Sequence, residues 1–318
     1  PSTTYALDAV GPAGAGIKGF GGRTRDPAAL GDAADEIYRV LAKRGICVES
    51  VYDVICLIGR LIISGNVRRS ALICIGDADD ALFFDLKRFK SMEDRPWRAY
   101  CNNSINVDRE KLNTVHSYWN TYDCEGEAYG WVDVAACRRE ARVGTYQRVL
   151  PEGFNPCGEQ PLASGEFCNL SEVNLQMIER LDEPGEIYNA LVGTMTMCYL
   201  FCKMAYTLGC RDGKADAICQ KNQRIGISLT GLAMVSKETR ELAYKARKAI
   251  IKLDEDFSFS LRVPTSIALF TVKPGGTLPK LAGSSGPGIH RPISEFQIRR
   301  VRFASTSPMT ARACSATR

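Results

Sequence analysis

The stretch "FNPCGEQPLASGEFCNL", residues 154–170, decides how this chain is read. It sets one thiol, Cys157, between a proline and a glycine, and a carboxylate, Glu159, two residues later. A second thiol, Cys168, follows after an irregular interval. Neither a zinc-ligand spacing nor a CxxC redox pair has this form. Pro156 and Gly158 argue against a helix or a central strand and suit a tight loop that carries the thiol to its tip. In an extended loop, side chains at i, i+2 and i+4 share a face, so Asn155, Cys157 and Glu159 would point into one pocket. An amide there can hold a substrate hydroxyl, and a carboxylate can take a proton from it. The plain alternatives for the same residues are a buried structural cysteine and an ion-paired glutamate.

Length and composition allow this chemistry. The chain has 318 residues, enough for one large α/β domain or two smaller ones with ample core. Hydrophobic residues are 45% and charged residues 24%, as in an ordinary soluble globular protein. The net charge of +5 and basic runs as sparse as "NVRRS" and "IRRVRF" argue against a nucleic-acid surface. Thirteen cysteines are an odd number in a chain too long to need staples, so a disulfide framework is not expected. Cys56, Cys198 and Cys202 sit in apolar runs and read as small buried hydrophobes, which suggests a reducing, cytosolic setting. The first ten residues lack the charged and apolar regions of a signal peptide. The charge-free run 187–202 contains Asn, Gly and two Thr, is short for a membrane span and reads as a buried helix.

Helical spacing appears over 28–44, over 50–63 with Ser50 and Asp53 as a capping box, over 186–208 and over 236–257. "ALICI" (71–75), "NNSINV" (102–107), "RIGISL" (224–229) and "SIALFTV" (266–272) read as strands. Helices alternating with short apolar strands predict an α/β fold with a mainly parallel sheet. No repeat or low-complexity linker divides residues 1–318, so a single domain is expected.

"NPCGE" followed by "CNL" resembles the finger-loop region of adenosylcobalamin-dependent (class II) ribonucleotide reductases. "GIKGFGG" (16–22), "SGNVRRSA" (64–71), "NNS" (102–104), "KNQRIGISLTGL" (221–232), "VKPGGT" (272–277), "LAGSSGPGIH" (281–290) and "IRRVRF" (298–303) resemble segments of the same family, in the family's order. The likeness covers essentially the whole chain, and "GEFCNLSEV" (165–173) is most similar to the monomeric ribonucleoside-triphosphate reductases.

The resemblance implies a ten-stranded α/β barrel with a central finger loop carrying the radical cysteine. It implies that Cys157 becomes a thiyl radical, with adenosylcobalamin as cofactor and no metal site of the protein's own. Glu159 matches the base for the 3′-hydroxyl proton, Asn155 the amide that binds ribose hydroxyls, and Cys168 one of two thiols that supply reducing equivalents. Gly275, Gly276 and Thr277 match the loop that holds substrate phosphates, although the family usually has serine where this chain has Gly275. Lys18, Arg68 and Arg69 match the two loops that link an effector deoxynucleotide to the substrate base. The implied partners are a ribonucleoside triphosphate and thioredoxin or a similar reductant, with neither nucleic acid nor membrane.

In the family the second thiol's partner lies ahead of the first specificity loop, and a cysteine pair sits on a C-terminal tail. This chain begins almost at that loop and ends with a lone Cys314, so a barrel core without those two regions is expected. Cys74 or Cys101 could stand in for the missing partner. The rival readings are the large subunit of an iron-dependent reductase, against which Pro156 and Gly158 argue, and a catalytically incomplete nucleotide-binding relative.

Overall fold

The computed structural model describes residues 4, 6–7, 10–16, 27–64, 71–107, 113, 129–140, 150–276, 278–283, 286 and 288–292. In chain order the helices are α1 Pro27–Arg44, α2 Val48–Ser64, α3 Ala81–Asp85, α4 Phe89–Glu93, α5 Val134–Glu140, α6 Leu175–Ile178, α7 Pro184–Ala205, α8 Gly213–Asn222, α9 Lys237–Leu261 and α10 Leu278–Leu281. The strands are β1 Leu72–Asp77, β2 Cys101–Asn106, β3 Gly130–Val132, β4 Gly153–Phe154, β5 Pro161–Leu162, β6 Asn169–Asn174 and β7 Ile225–Thr230.

Two parallel sheets carry the architecture. The first has the order β1-β2-β3, with Leu72 opposite Cys101 and Ser104 opposite Gly130. The second pairs β6 with β7, Asn169 opposite Ile225. Parallel partners need long crossovers, and helices supply them: α3 and α4 between β1 and β2, α7 and α8 between β6 and β7. The α/β expectation therefore holds, with a parallel ladder in each sheet.

Each sheet has its own apolar core. Behind the first, Tyr52, Cys56 and Leu57 of α2 pack with Phe83, Phe84, Trp97, Ile105 and Tyr129. Behind the second, Val173, Ile225 and Ile227 meet Ile187, Leu191, Met195 and Tyr199 of α7, and Ala246 and Ile250 of α9. The four-residue spacing along α7 gives one buried face. Its other face leaves Met197, Phe201 and Met204 exposed, so the run expected to be a buried helix is buried on one side only. By length and composition alone, the segment 184–208 is apolar enough to cross a membrane.

Two local expectations shift. Helix α2 starts at Val48, three residues after Gly45, and Ser50 lies inside its first turn. The Ser50 hydroxyl accepts from the Cys47 backbone N–H at 2.9 Å and donates to the Gly45 carbonyl at 2.7 Å. It thus satisfies an end group from within the helix, the N3 half of a capping box. Residues 266–272, read as a strand, make one isolated bridge, Ile227 to Phe270. The segment lies beside β7, but its hydrogen bonds, such as Ile225 N–H to the Ala268 carbonyl, do not continue into a ladder.

Candidate active site

A short hairpin between the two sheets holds the residues of interest. Strands β4 and β5 pair antiparallel, with Gly153 opposite Leu162 and Phe154 opposite Pro161. The Gly158 N–H donates to the Asn155 carbonyl at 2.8 Å and closes a four-residue turn. Its sequence, Asn-Pro-Cys-Gly, has the residues a type I turn prefers at its first, second and fourth places. Gly158 takes φ +79, a conformation that glycine adopts freely. Cys157 is left exposed at the tip.

The loop is thus a turn rather than the extended segment that alternation assumed. Asn155 helps to build it: Oδ1 accepts from the Gln160 N–H at 2.9 Å, and its own N–H donates to the Gln160 carbonyl at 3.0 Å.

The hairpin is tied to both sheets. Asn102 of β2 donates Nδ2–H to the Pro156 carbonyl at 2.7 Å. On the other side, Gln160 Nε2 donates to the Ile225 carbonyl of β7 at 3.3 Å, and the Thr271 hydroxyl donates to the Glu159 carbonyl at 2.7 Å. A Cβ on Gly153 would lie 3.8 Å from Ile75 Cδ1, so the hairpin base rests on β1.

One carboxylate acts on two thiols. Burial pushes the Cys157 thiol up, the Glu159 charge adds to this, and the Lys273 ammonium opposes it. Burial, then Glu159, pushes Cys168 up to about 12 against the pull of the Arg224 guanidinium. Glu159 Oε2 is shut off from solvent and accepts no hydrogen bond among the described residues. A buried acceptor without a donor is rare in a folded protein and marks a place where a ligand group can complete the arrangement. Lys273 is held by Glu172, whose Oε2 lies 2.9 Å from Nζ and whose Oε1 accepts from the Thr230 hydroxyl.

Cys168 stands at the entrance to β6, half-buried. Thiols in its surroundings are Cys202 of α7, fully buried, whose carbonyl accepts from Asn169 Nδ2 at 3.3 Å, and Cys219 of α8, whose Sγ accepts from the Phe167 N–H at 3.3 Å. Cys74 and Cys101 are elsewhere. Cys101 belongs to the core behind the first sheet, where its thiol meets Cys56 and the Tyr52 hydroxyl.

Gly275 is buried with φ +25, and a Cβ there would come within 2.8 Å of Glu172 Oε1 and 2.9 Å of Pro279 Cγ. The glycine in place of the family's usual serine is thus demanded by its surroundings. Gly276 is open: among the described residues, nothing lies within 4 Å of a built Cβ. The helix that follows is the four-residue α10. Thr277, Lys18, Arg68 and Arg69 lie outside the described residues.

Sequence reasoning assigned no role to Asn102 or Lys273. Both sit in quoted segments, "NNS" and "VKPGGT", and the signal was the segment itself rather than a recognisable chemistry.

The first sheet, on its hairpin side, bounds a cleft of about 300 Å³ that reaches Cys157.

No family model matches the chain. A probable adenosylcobalamin-dependent ribonucleoside-triphosphate reductase of Dictyostelium discoideum is 30% identical over 92% of this chain and 39% of its own length. The adenosylcobalamin-dependent ribonucleoside-triphosphate reductase of Lactobacillus delbrueckii subsp. bulgaricus is 32% identical over 95% of this chain and 45% of its own. A crystal structure of a B12-dependent (class II) ribonucleotide reductase superposes with a TM-score of 0.64 at 25% identity, covering 86% of this chain and 41% of that one. The chain therefore spans less than half the length of these relatives. In sequence over more than nine-tenths of its length, and in fold, it is similar to the adenosylcobalamin-dependent ribonucleoside-triphosphate reductases.

Proposed function

We infer that this chain is the catalytic core of a class II ribonucleotide reductase, which converts a ribonucleoside triphosphate to its 2′-deoxy form. The observation that carries the reading is the pairing of an exposed turn-tip thiol, Cys157, with the buried and unpartnered Glu159 Oε2 beside it. The homologues' names support the substrate class and the cofactor. In this reading the two parallel sheets are parts of one barrel, residues 1–318 form a single domain, and the hairpin is its central finger. The bonds from the hairpin to β2 and β7 support that arrangement.

Adenosylcobalamin, when bound, supplies a carbon-centred radical. An exposed thiol that opens on a cleft fits such a radical source. Cys157 gives up its hydrogen atom and, as a thiyl, takes the hydrogen from ribose C3′. Glu159 accepts the 3′-hydroxyl proton, which its free oxygen is set to receive. Asn155 Oδ1 is engaged in the turn, so Nδ2 is the atom left to hold a ribose hydroxyl. The 2′-hydroxyl leaves as water with one proton, and two thiols give two electrons and end as a disulfide. Cys168 is one of them, kept protonated by its surroundings and so able to deliver hydrogen. The hydrogen held by Cys157 then returns to C3′, which leaves Cys157 as a thiyl radical once more.

Gly275, Gly276 and Thr277 take the substrate phosphates, with Lys273 nearby as the cation. Lys18, Arg68 and Arg69 take effector and base contacts, and a thioredoxin-like protein restores the thiols. Eleven described cysteines, all unpaired, support a cytoplasmic setting.

The test is anaerobic incubation of the chain with adenosylcobalamin, dithiothreitol and a ribonucleoside triphosphate, with deoxynucleotide measured by chromatography. Product from the parent and none from Cys157→Ala is expected. Equal product from both would overturn the assignment of the radical cysteine.

A further inference from the structure

Glu159 has a buried oxygen, Oε2, that accepts nothing among the described residues, although two cations act on the thiols beside it. Lys273 acts on Cys157 and Arg224 acts on Cys168, each against the charge of Glu159. A buried carboxylate draws any cation within reach, because pairing offsets the cost of leaving water. Each cation is instead held by another acid. Arg224 Nε donates to Glu166 Oε1 at 2.9 Å, and Lys273 Nζ donates to Glu172 Oε2 at 2.9 Å.

The two pairs differ in freedom. Glu166 also accepts from Asn222 Nδ2 at 2.9 Å and from the Ala163 N–H at 2.8 Å, and Arg224 is buried. That guanidinium is fixed. The side chain of Lys273 is 26% exposed, so its ammonium keeps room to move. Its backbone stays close to the hairpin. Thr271, two residues earlier, donates its hydroxyl to the Glu159 carbonyl at 2.7 Å, and the Lys273 N–H donates to Ser228 Oγ at 2.9 Å. What keeps the ammonium off Glu159 is Glu172 of β6. The Glu172 side chain is 3% exposed and would be a stranded charge without Lys273. Thr230 of β7 donates its hydroxyl to Glu172 Oε1, which leaves Oε2 for the ammonium. Two acids thus compete for one movable cation, and Glu172 has it.

We propose that Glu172 is a positioning residue for the reaction: it retains Lys273 and so leaves Glu159 Oε2 open to the hydroxyl proton of the substrate. This rests on the role inferred above for Glu159. A carboxylate already paired with an ammonium takes a proton less readily, so an unretained Lys273 would occupy the atom that has to receive it. Among the described residues, the charges that act on the Cys157 thiol are Glu159 and Lys273. The Lys87 ammonium, in the cleft on the other flank, donates to the Cys101 carbonyl. Moving Lys273 onto Glu159 cancels the charge that helps to hold the Cys157 thiol up, and the thiol then ionises at lower pH. Cys157 therefore reports which acid holds Lys273, without turnover.

The readout is the rate of Cys157 alkylation by iodoacetamide as a function of pH, followed by peptide mass spectrometry on the full chain. Glu172→Gln frees Lys273 and keeps an acceptor for the Thr230 hydroxyl. It should speed labelling at least ~threefold at about pH 8, because the thiolate is the species that reacts, and leave exposed Cys47 unaffected. Adding Lys273→Met to that variant should return labelling to the parent rate or below it, whereas a general loosening of the loop would leave the double variant fast. Glu172→Asp, with its carboxylate withdrawn by one methylene, should show the same change at smaller size. It keeps the test open if circular dichroism finds Glu172→Gln unfolded. In deoxynucleotide formation, kcat should fall about tenfold or more in Glu172→Gln. It should recover in part in the double variant, with KM for the triphosphate raised by loss of the cation. Unchanged labelling in Glu172→Gln, or fast labelling that persists in the double variant, would overturn the proposal. A parent that makes no deoxynucleotide while the labelling pattern holds sinks the reaction and leaves the charge arrangement standing. A parent that makes product with labelling unmoved sinks the role of Glu172 alone.

Discussion

Asn102 donates its side-chain amide to the carbonyl of Pro156 at 2.7 Å, joining the second strand of one sheet to the residue before the exposed thiol. The bond is itself exposed, so it adds little to stability. Its effect is positional, because it fixes the first corner residue of the turn. Asn102→Ala should leave the midpoint of urea unfolding within about 0.5 kcal/mol of the parent and lower deoxynucleotide formation about tenfold or more, as small misplacements of reacting groups do. Turnover unchanged in that variant would show that the turn holds its shape without the bond.

The two glycines of "KPGG" should differ sharply. Gly275→Ser forces a side chain onto Glu172 Oε1, Pro279 and Gly288 and keeps a positive φ, so a loss of about 1–3 kcal/mol is expected. Gly276→Ser meets open space and should change stability by less than about 0.5 kcal/mol. Urea denaturation of the two variants measures the contrast.

Asp254 holds the layer behind the second sheet. It accepts from the Tyr199 hydroxyl at 2.9 Å, from Lys203 Nζ at 3.0 Å and from the Ser266 N–H at 2.8 Å. Asp254→Ala strands the Lys203 ammonium, whose side chain is 4% exposed, and should cost about 3–5 kcal/mol. Replacing Lys203 by Met in the same chain should recover part of that loss, because the uncompensated charge is then gone. Calorimetric midpoints of the single and double variants test this.

The buried thiols set an alkaline limit. Cys168 is pushed up to about 12 and Cys74 to about 11, both mainly by burial. In the unfolded chain each ionises near 8.5, so above that pH the unfolded state releases protons that the folded state retains. Stability is thus fully present below about pH 8.5 and falls at up to about 1.4 kcal/mol per pH unit for each such thiol. Cys168→Ala should flatten the decline of the melting temperature between about pH 9 and pH 11.

Much of this was legible in the sequence because periodicity reports burial. Residues 187, 191, 195 and 199 recur along one helical face, and that face is the one in the core. "RIGISL" is β7 nearly residue for residue, since a strand buried on both faces reads as a continuous apolar run. The tight loop at Cys157 followed from Pro156 and Gly158. Its internal geometry did not, because alternation applies to extended chain and the Gly158–Asn155 bond curls the segment into a turn. The strand read over 266–272 failed for a related reason: its apolar residues settle beside β7, but its backbone bonds do not continue as a ladder. Contacts such as Asn102 to Pro156 join residues far apart in the chain, and no local pattern carries them.

Because the hairpin is moored to β2 on one flank and to β7 on the other, the Cys157 sulfur has no address of its own. Its whereabouts are set by the gap between two separately packed sheets. A shear of one sheet against the other would be transmitted to that sulfur as a displacement, so substitutions deep behind either sheet can shift a thiol they never touch.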